Sequence, residues 1–93
     1  MPEKLIYDIV ETEGKQNKAV VVIHGWKGNK DSFKSIASFL KLGSTTWFFP
    51  EAPFDIKGDK SKKTWSYQNN DGKWEVEKPK ALLDDFFKSV VFE

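Results

Sequence analysis

The chain has 93 residues, a net charge of +1, no cysteine and a single histidine. So small a charge supplies no field for nucleic acid or an anionic membrane surface, and the cysteine and histidine counts exclude disulfide staples, thiol catalysis and an ordinary zinc site. The N-terminus, Met1-Pro2-Glu3-Lys4, has no apolar targeting core, and no apolar stretch approaches the roughly 20 residues of a membrane span, so a cytoplasmic protein without metal or cofactor is expected.

Leu5 to Glu11 alternates apolar and polar residues, with Leu5, Tyr7 and Ile9 on one side. It reads as a half-buried strand closed by the turn Gly14-Lys15-Gln16-Asn17. Ala19 to Ile23 is continuous and mostly β-branched, which suits a central strand covered on both faces of a parallel sheet. That strand ends abruptly in His24-Gly25-Trp26-Lys27-Gly28-Asn29. From Asp31 the apolar spacing changes to Phe33, Ile36, Ala37 and Leu40, predicting a helix with Asp31 as N-cap and Gly43 as its stop.

Thr45 to Phe49 is a second buried strand, cut off by Pro50. The lysines at 57, 60, 62 and 63 mark residues 55–63 as a solvated loop. Beyond them Trp65 and Tyr67 precede the turn Asn69-Asn70-Asp71-Gly72, and Trp74 and Val76 follow it. A hairpin pairing Tyr67 with Trp74 and Trp65 with Val76 puts all four large side chains on one face. Pro79 opens a final helix whose Leu82, Leu83, Phe86, Phe87, Val90 and Val91 form a wide apolar face.

Strand, helix, strand, hairpin and helix in this order predict one α/β domain over residues 1–93 with a mostly parallel sheet. A crossover helix normally delivers the chain into another parallel strand, and none follows here. A truncated domain is therefore expected, whose uncovered faces favour self-association or a missing C-terminal half.

A strand that feeds a glycine-containing turn and then a helix aims backbone N–H groups at incoming negative charge. A nucleotide phosphate loop fails on spacing, because Lys30 stands where glycine is required and no Lys-Ser/Thr pair follows. A purely structural turn, and an oxyanion hole of the serine hydrolase type, are the two readings that fit.

The motif His24 to Asn29, then Phe48-Phe49-Pro50-Glu51-Ala52-Pro53 and then Trp65-Ser66-Tyr67, resembles the N-terminal part of the phospholipase/carboxylesterase family of α/β-hydrolases, which includes acyl-protein thioesterases. The resemblance implies a three-layer, mostly parallel hydrolase sheet cut short of the nucleophile elbow, and a small ester or thioester as substrate. It assigns the Trp26 backbone N–H as oxyanion donor, with Gly25, Gly28, Trp65 and Tyr67 as the surrounding substrate-binding positions. It makes His24 a turn-fixing residue, since the family's catalytic histidine comes last in the chain. The Trp26 side chain and the aromatic hairpin face line an acyl pocket, or simply pack.

None of the seven serines stands in Gly-x-Ser-x-Gly, and no histidine follows the Asp84-Asp85 pair. Nucleophile, acid and base are all absent from these residues. The expected function is that of a carboxylic ester or thioester hydrolase, inactive as this chain alone; the alternative is a noncatalytic module that binds a small ligand or a partner.

Overall fold

A computed structural model describes residues 4–92. Three strands, β1 (Tyr7–Glu11), β2 (Lys18–Val21) and β3 (Thr45–Pro50), form a sheet in the order β1-β3-β2. The centre belongs to β3 because its large side chains demand cover on both faces. Trp47 and Phe49 pack with Ala37 on one side, while Phe48 joins Leu5, Leu82 and Phe86 on the other. Each large aromatic or aliphatic side chain so enclosed contributes about 1.5–3 kcal/mol. One polar atom is left over: the Trp47 indole Nε1 is buried with no hydrogen-bond partner among the described residues, at a cost of about 1–3 kcal/mol.

The expected mostly parallel, three-layer hydrolase-type sheet is not what forms. Of the strand pairings, β2 with β3 is parallel, whereas β1 with β3 is antiparallel, with Tyr7 opposite Pro50 and Glu11 opposite Thr46. A separate antiparallel pair, β4 (Phe54–Ile56) and β5 (Asp59–Thr64), makes a second sheet. The reason lies in composition. Lys60, Ser61 and Lys62 are exposed and cannot enter a sheet covered on both faces, yet they suit a solvated hairpin turned by Gly58 at φ 89°. The lysine-rich segment 55–63, expected as a loop, is therefore most of the β4–β5 hairpin. Likewise β2, expected at the centre, is an edge strand, and both Ala19 and the neighbouring Ile23 are exposed.

The first helix is shorter than its apolar spacing predicts: α1 covers only Ile36–Leu40. Its approach is a run of tight turns, with Ser32 N–H donating to the Asn29 carbonyl and Ile36 N–H to that of Phe33. Asn29, not Asp31, opens the segment, since the Asn29 side-chain oxygen accepts the Asp31 N–H at 2.8 Å. Lys41, left-handed at φ 51°, ends the helix before Gly43. Of the predicted apolar face only Ala37 is buried, and Phe33 and Leu40 are about half exposed.

The last helix, α2 (Glu77–Phe86), continues as a π-helical turn over Phe87–Val91. It lays Leu82 and Phe86 against Leu5 and Phe48, with Val90 and Val91 beside them. Tyr7 meets Phe86 edge to face, ring centroids 5.2 Å apart. Neither this helix nor α1 is long and apolar enough to cross a membrane.

On the α1 side β1 is tied down by charge. The Asp8 carboxylate accepts from Lys30 Nζ at 2.8 Å and also from Lys34 Nζ, and Lys34 reaches Asp31 as well. The bond from Lys30, and then that from Lys34, hold the Asp8 carboxyl below the usual carboxylate range. A carboxyl whose folded pKa lies below its unfolded one stabilises the fold above the unfolded value of about 3.9, and that stabilisation is lost as pH falls through the folded pKa. Denaturant melts at pH 7 and pH 3 are expected to show a larger acid loss for the native chain than for Asp8→Asn; equal losses would exclude the pairing as an acid-sensitive tie.

Candidate functional site

The sheet delivers β2 into the segment His24–Asn29 and β3 into Glu51–Pro53, and one side chain joins the two. His24 is 3% exposed. Its Nε2 accepts the Ala52 backbone N–H at 2.9 Å, and its Nδ1 lies 2.8 Å from the Gly25 carbonyl. A nitrogen that accepts an N–H carries no proton, so Nδ1 holds the ring's hydrogen and donates to Gly25. The third strut comes from Trp65, whose indole Nε1 donates to the His24 carbonyl at 2.9 Å while its ring lies 5.3 Å from the imidazole. His24 thus fastens three segments, and both its nitrogens are spent inside the protein. The position fits the turn-fixing role and leaves no lone pair for a serine.

The turn itself is built differently from its glycine pattern. Gly28 N–H donates to the Gly25 carbonyl at 3.0 Å, closing a four-residue turn. Neither glycine has a positive φ; that burden falls on Lys27 at 71°, at the position where a type II turn ordinarily takes glycine. A left-handed non-glycine residue costs about 1–2 kcal/mol. Here it is held by the β5 hairpin: Lys27 N–H donates to the Lys63 carbonyl at 2.9 Å and Lys63 N–H to that of Gly28 at 2.8 Å. The Lys27 ammonium also sits 4.4 Å from the centroid of the Trp26 ring, a cation–π contact.

Gly28 is required for space, because a Cβ there would lie 2.8 Å from Ser32 Oγ and 3.1 Å from His24 Nδ1. At Gly25 a Cβ would meet nothing within 4 Å. The two glycines that look equivalent in sequence are not.

Trp26 projects outward with 68% of its surface exposed. Its backbone N–H meets no acceptor among the described residues, nor does that of Gly25 before it, whereas those of Lys27 and Gly28 after it are both engaged. Beside it Trp26, Trp65 and Trp74 line a cleft of about 390 Å³ with Thr64 and Ser66. The hydroxyls in that cleft are occupied, Thr64 with the Ser66 carbonyl and Ser66 with that of Glu75. What the cleft offers is indole surface.

Of the predicted substrate-binding aromatics, Trp65 is brought to Trp26 and Tyr67 is not. The expected hairpin pairs Gln68 with Trp74 instead of Tyr67 with Trp74, and a one-residue slip turns side chains to the opposite face. Asn69 causes it. Its side-chain oxygen accepts the N–H groups of Asp71 and Lys73, and its own N–H donates to the Lys73 carbonyl, closing the loop one residue tighter. Tyr67 goes to Phe54, ring centroids 4.8 Å apart and nearly perpendicular. Trp74, expected on the aromatic hairpin face as pocket wall or packing, takes its place in the cleft. Among the described residues no group of three or more His, Cys, Asp or Glu side chains could hold a metal ion.

Two measurements check this geometry. Long-range proton–nitrogen NMR spectra should give the His24 ring a protonated Nδ1 and an unprotonated Nε2 at pH 7; the opposite tautomer would break the link to Ala52. In denaturant unfolding Gly28→Ala is expected to cost about 1–3 kcal/mol, as overpacking does, against at most about 0.5 kcal/mol for Gly25→Ala. Equal costs would contradict the contact geometry.

Compared with protein-family models, with curated proteins and with solved structures, the chain matches none.

Proposed function

We propose that this chain carries the oxyanion-holding part of a carboxylic ester or thioester hydrolase site, and that by itself it binds the carboxylate or acyl oxygen of a small apolar ligand without cleaving it. The observation that carries the reading is the Trp26 N–H, free of any acceptor among the described residues on a turn whose next two N–H groups, those of Lys27 and Gly28, are engaged. A donor fixed before the ligand arrives costs no reorganisation when charge develops opposite it, and one such donor contributes about 2.7–4 kcal/mol to an acyl-transfer transition state. His24 and Gly28 supply that fixity. The indoles of Trp26, Trp65 and Trp74 supply an apolar bed for the rest of the ligand.

Binding without turnover is favoured over hydrolysis because the parts of a triad do not meet. Nucleophilic catalysis needs a hydroxyl hydrogen-bonded to a base that a third group orients. The one histidine gives its nitrogens to Gly25 and Ala52, and the hydroxyls of Ser61, Ser66 and Ser89 donate to Asp59, Glu75 and Asp85.

Titration with sodium hexanoate, followed by amide NMR, is expected to shift the Trp26 N–H downfield and saturably, with the Trp65 and Trp74 indole signals moving in step. A fluorophosphonate probe of activated serines is expected to leave the chain unlabelled. An unresponsive Trp26 amide would remove the anion-holding reading, and stoichiometric labelling would restore a catalytic one.

A further inference from the structure

The segment 63–67 separates two cavities. Thr64, Trp65 and Ser66 face the indole cleft, while Lys63 and Tyr67 face a second cavity of about 490 Å³ bounded by Ile6, Glu51 and the run Ala52 to Asp55. That volume lies within the range of small-molecule sites. Nothing in the proposed hydrolase chemistry uses it.

Three charged side chains line the cavity. Asp55 and Lys63 are ion-paired, so each largely cancels the other. Glu51 is left without a cationic partner among the described residues: one oxygen accepts the Lys30 backbone N–H at 3.2 Å, and no ammonium lies within ion-pair reach. Around this carboxylate the walls are apolar and aromatic, with Ile6, Pro53 and the perpendicular pair Phe54 and Tyr67. The charge decides what can enter. An anion would face Glu51 directly, and a neutral apolar molecule would strip water from the carboxylate and return nothing for it. An ammonium on a short apolar or aromatic body satisfies both parts, pairing with Glu51 and lying against the π-faces of Tyr67 or Phe54.

We propose that this cavity is a binding site for a small organic cation, a primary ammonium joined to an aromatic or compact apolar group, with Glu51 as its counter-ion and Phe54 and Tyr67 as its aromatic wall. Glu51 is held for the task by its bond to Lys30 N–H, and the β4–β5 ion pair screens the rim without competing for the ligand.

The test uses the full 93-residue chain and phenethylammonium chloride, with 2-phenylethanol as a neutral molecule of nearly the same shape. Amide NMR is expected to show saturable shifts at Ile6, Phe54 and Tyr67 with the ammonium, and binding of the alcohol at least about tenfold weaker. Glu51→Gln keeps a carbonyl oxygen for Lys30 N–H while removing the charge, and should weaken the ammonium about tenfold with the rest of the spectrum unchanged. Should that variant not fold, the comparison of the two probes on the native chain decides alone. Equal affinity for ammonium and alcohol, shifts scattered away from the cavity, or no saturable shift would each overturn the proposal.

Discussion

One residue, His24, holds the loops at the carboxyl end of the sheet together through its ring nitrogens and its main-chain carbonyl. His24 accepts from Ala52, donates to Gly25 and passes its carbonyl to Trp65, so the loop after β2, the loop after β3 and the segment after β5 share one anchor. Each such hydrogen bond contributes only about 0.5–1.5 kcal/mol net, but they are made by a residue buried at 3% exposure. Losing the ring would strand the Ala52 N–H and remove the stacking surface of Trp65. The strained Lys27, the crowded Gly28 and the free Trp26 N–H all sit within four residues of that anchor and depend on its being fixed.

This anchoring separates two kinds of residue that the sequence alone runs together. Gly25, Trp26 and Gly28 belong to one motif, yet one glycine is open, the other is jammed against Ser32 and His24, and the residue needing left-handed freedom is Lys27. The motif specifies a turn and a close approach. It does not say which residue bears which demand.

What the sequence made legible was the strong periodicity and the local chemistry. The aromatic β3 forms where the pattern places it; β2 forms too but stops at Val21, short of Ile23, and the last helix opens at Glu77, ahead of Pro79, and turns π-helical from Phe87. Long-range pairing was not legible. Whether β1 meets β3 parallel or antiparallel is set by tertiary contacts such as Tyr7 on Phe86 and Asp8 on Lys30, which no local pattern encodes. The β4–β5 hairpin was hidden because lysines mimic loop composition, although Gly58 was a turn signal available to reading. The aromatic hairpin slipped by one residue because the Asn69 side chain, bonding Asp71 and Lys73, outranked cross-strand aromatic pairing. That slip moved Tyr67 out of one cavity and into another, and so changed which ligand chemistry each cavity presents.

The central claim is that His24 ties the three segments into one cooperative unit, and native-state hydrogen exchange reads that most directly. Groups that open in a single local unfolding event exchange together. The Ala52 amide and the Trp65 indole N–H should be slow, should share one opening free energy, and should lose protection together in His24→Ala while the β3 amides stay protected. An Ala52 amide that exchanges in the native chain as fast as the exposed turn at 70–72, or a Trp65 indole indifferent to the loss of His24, would contradict the account.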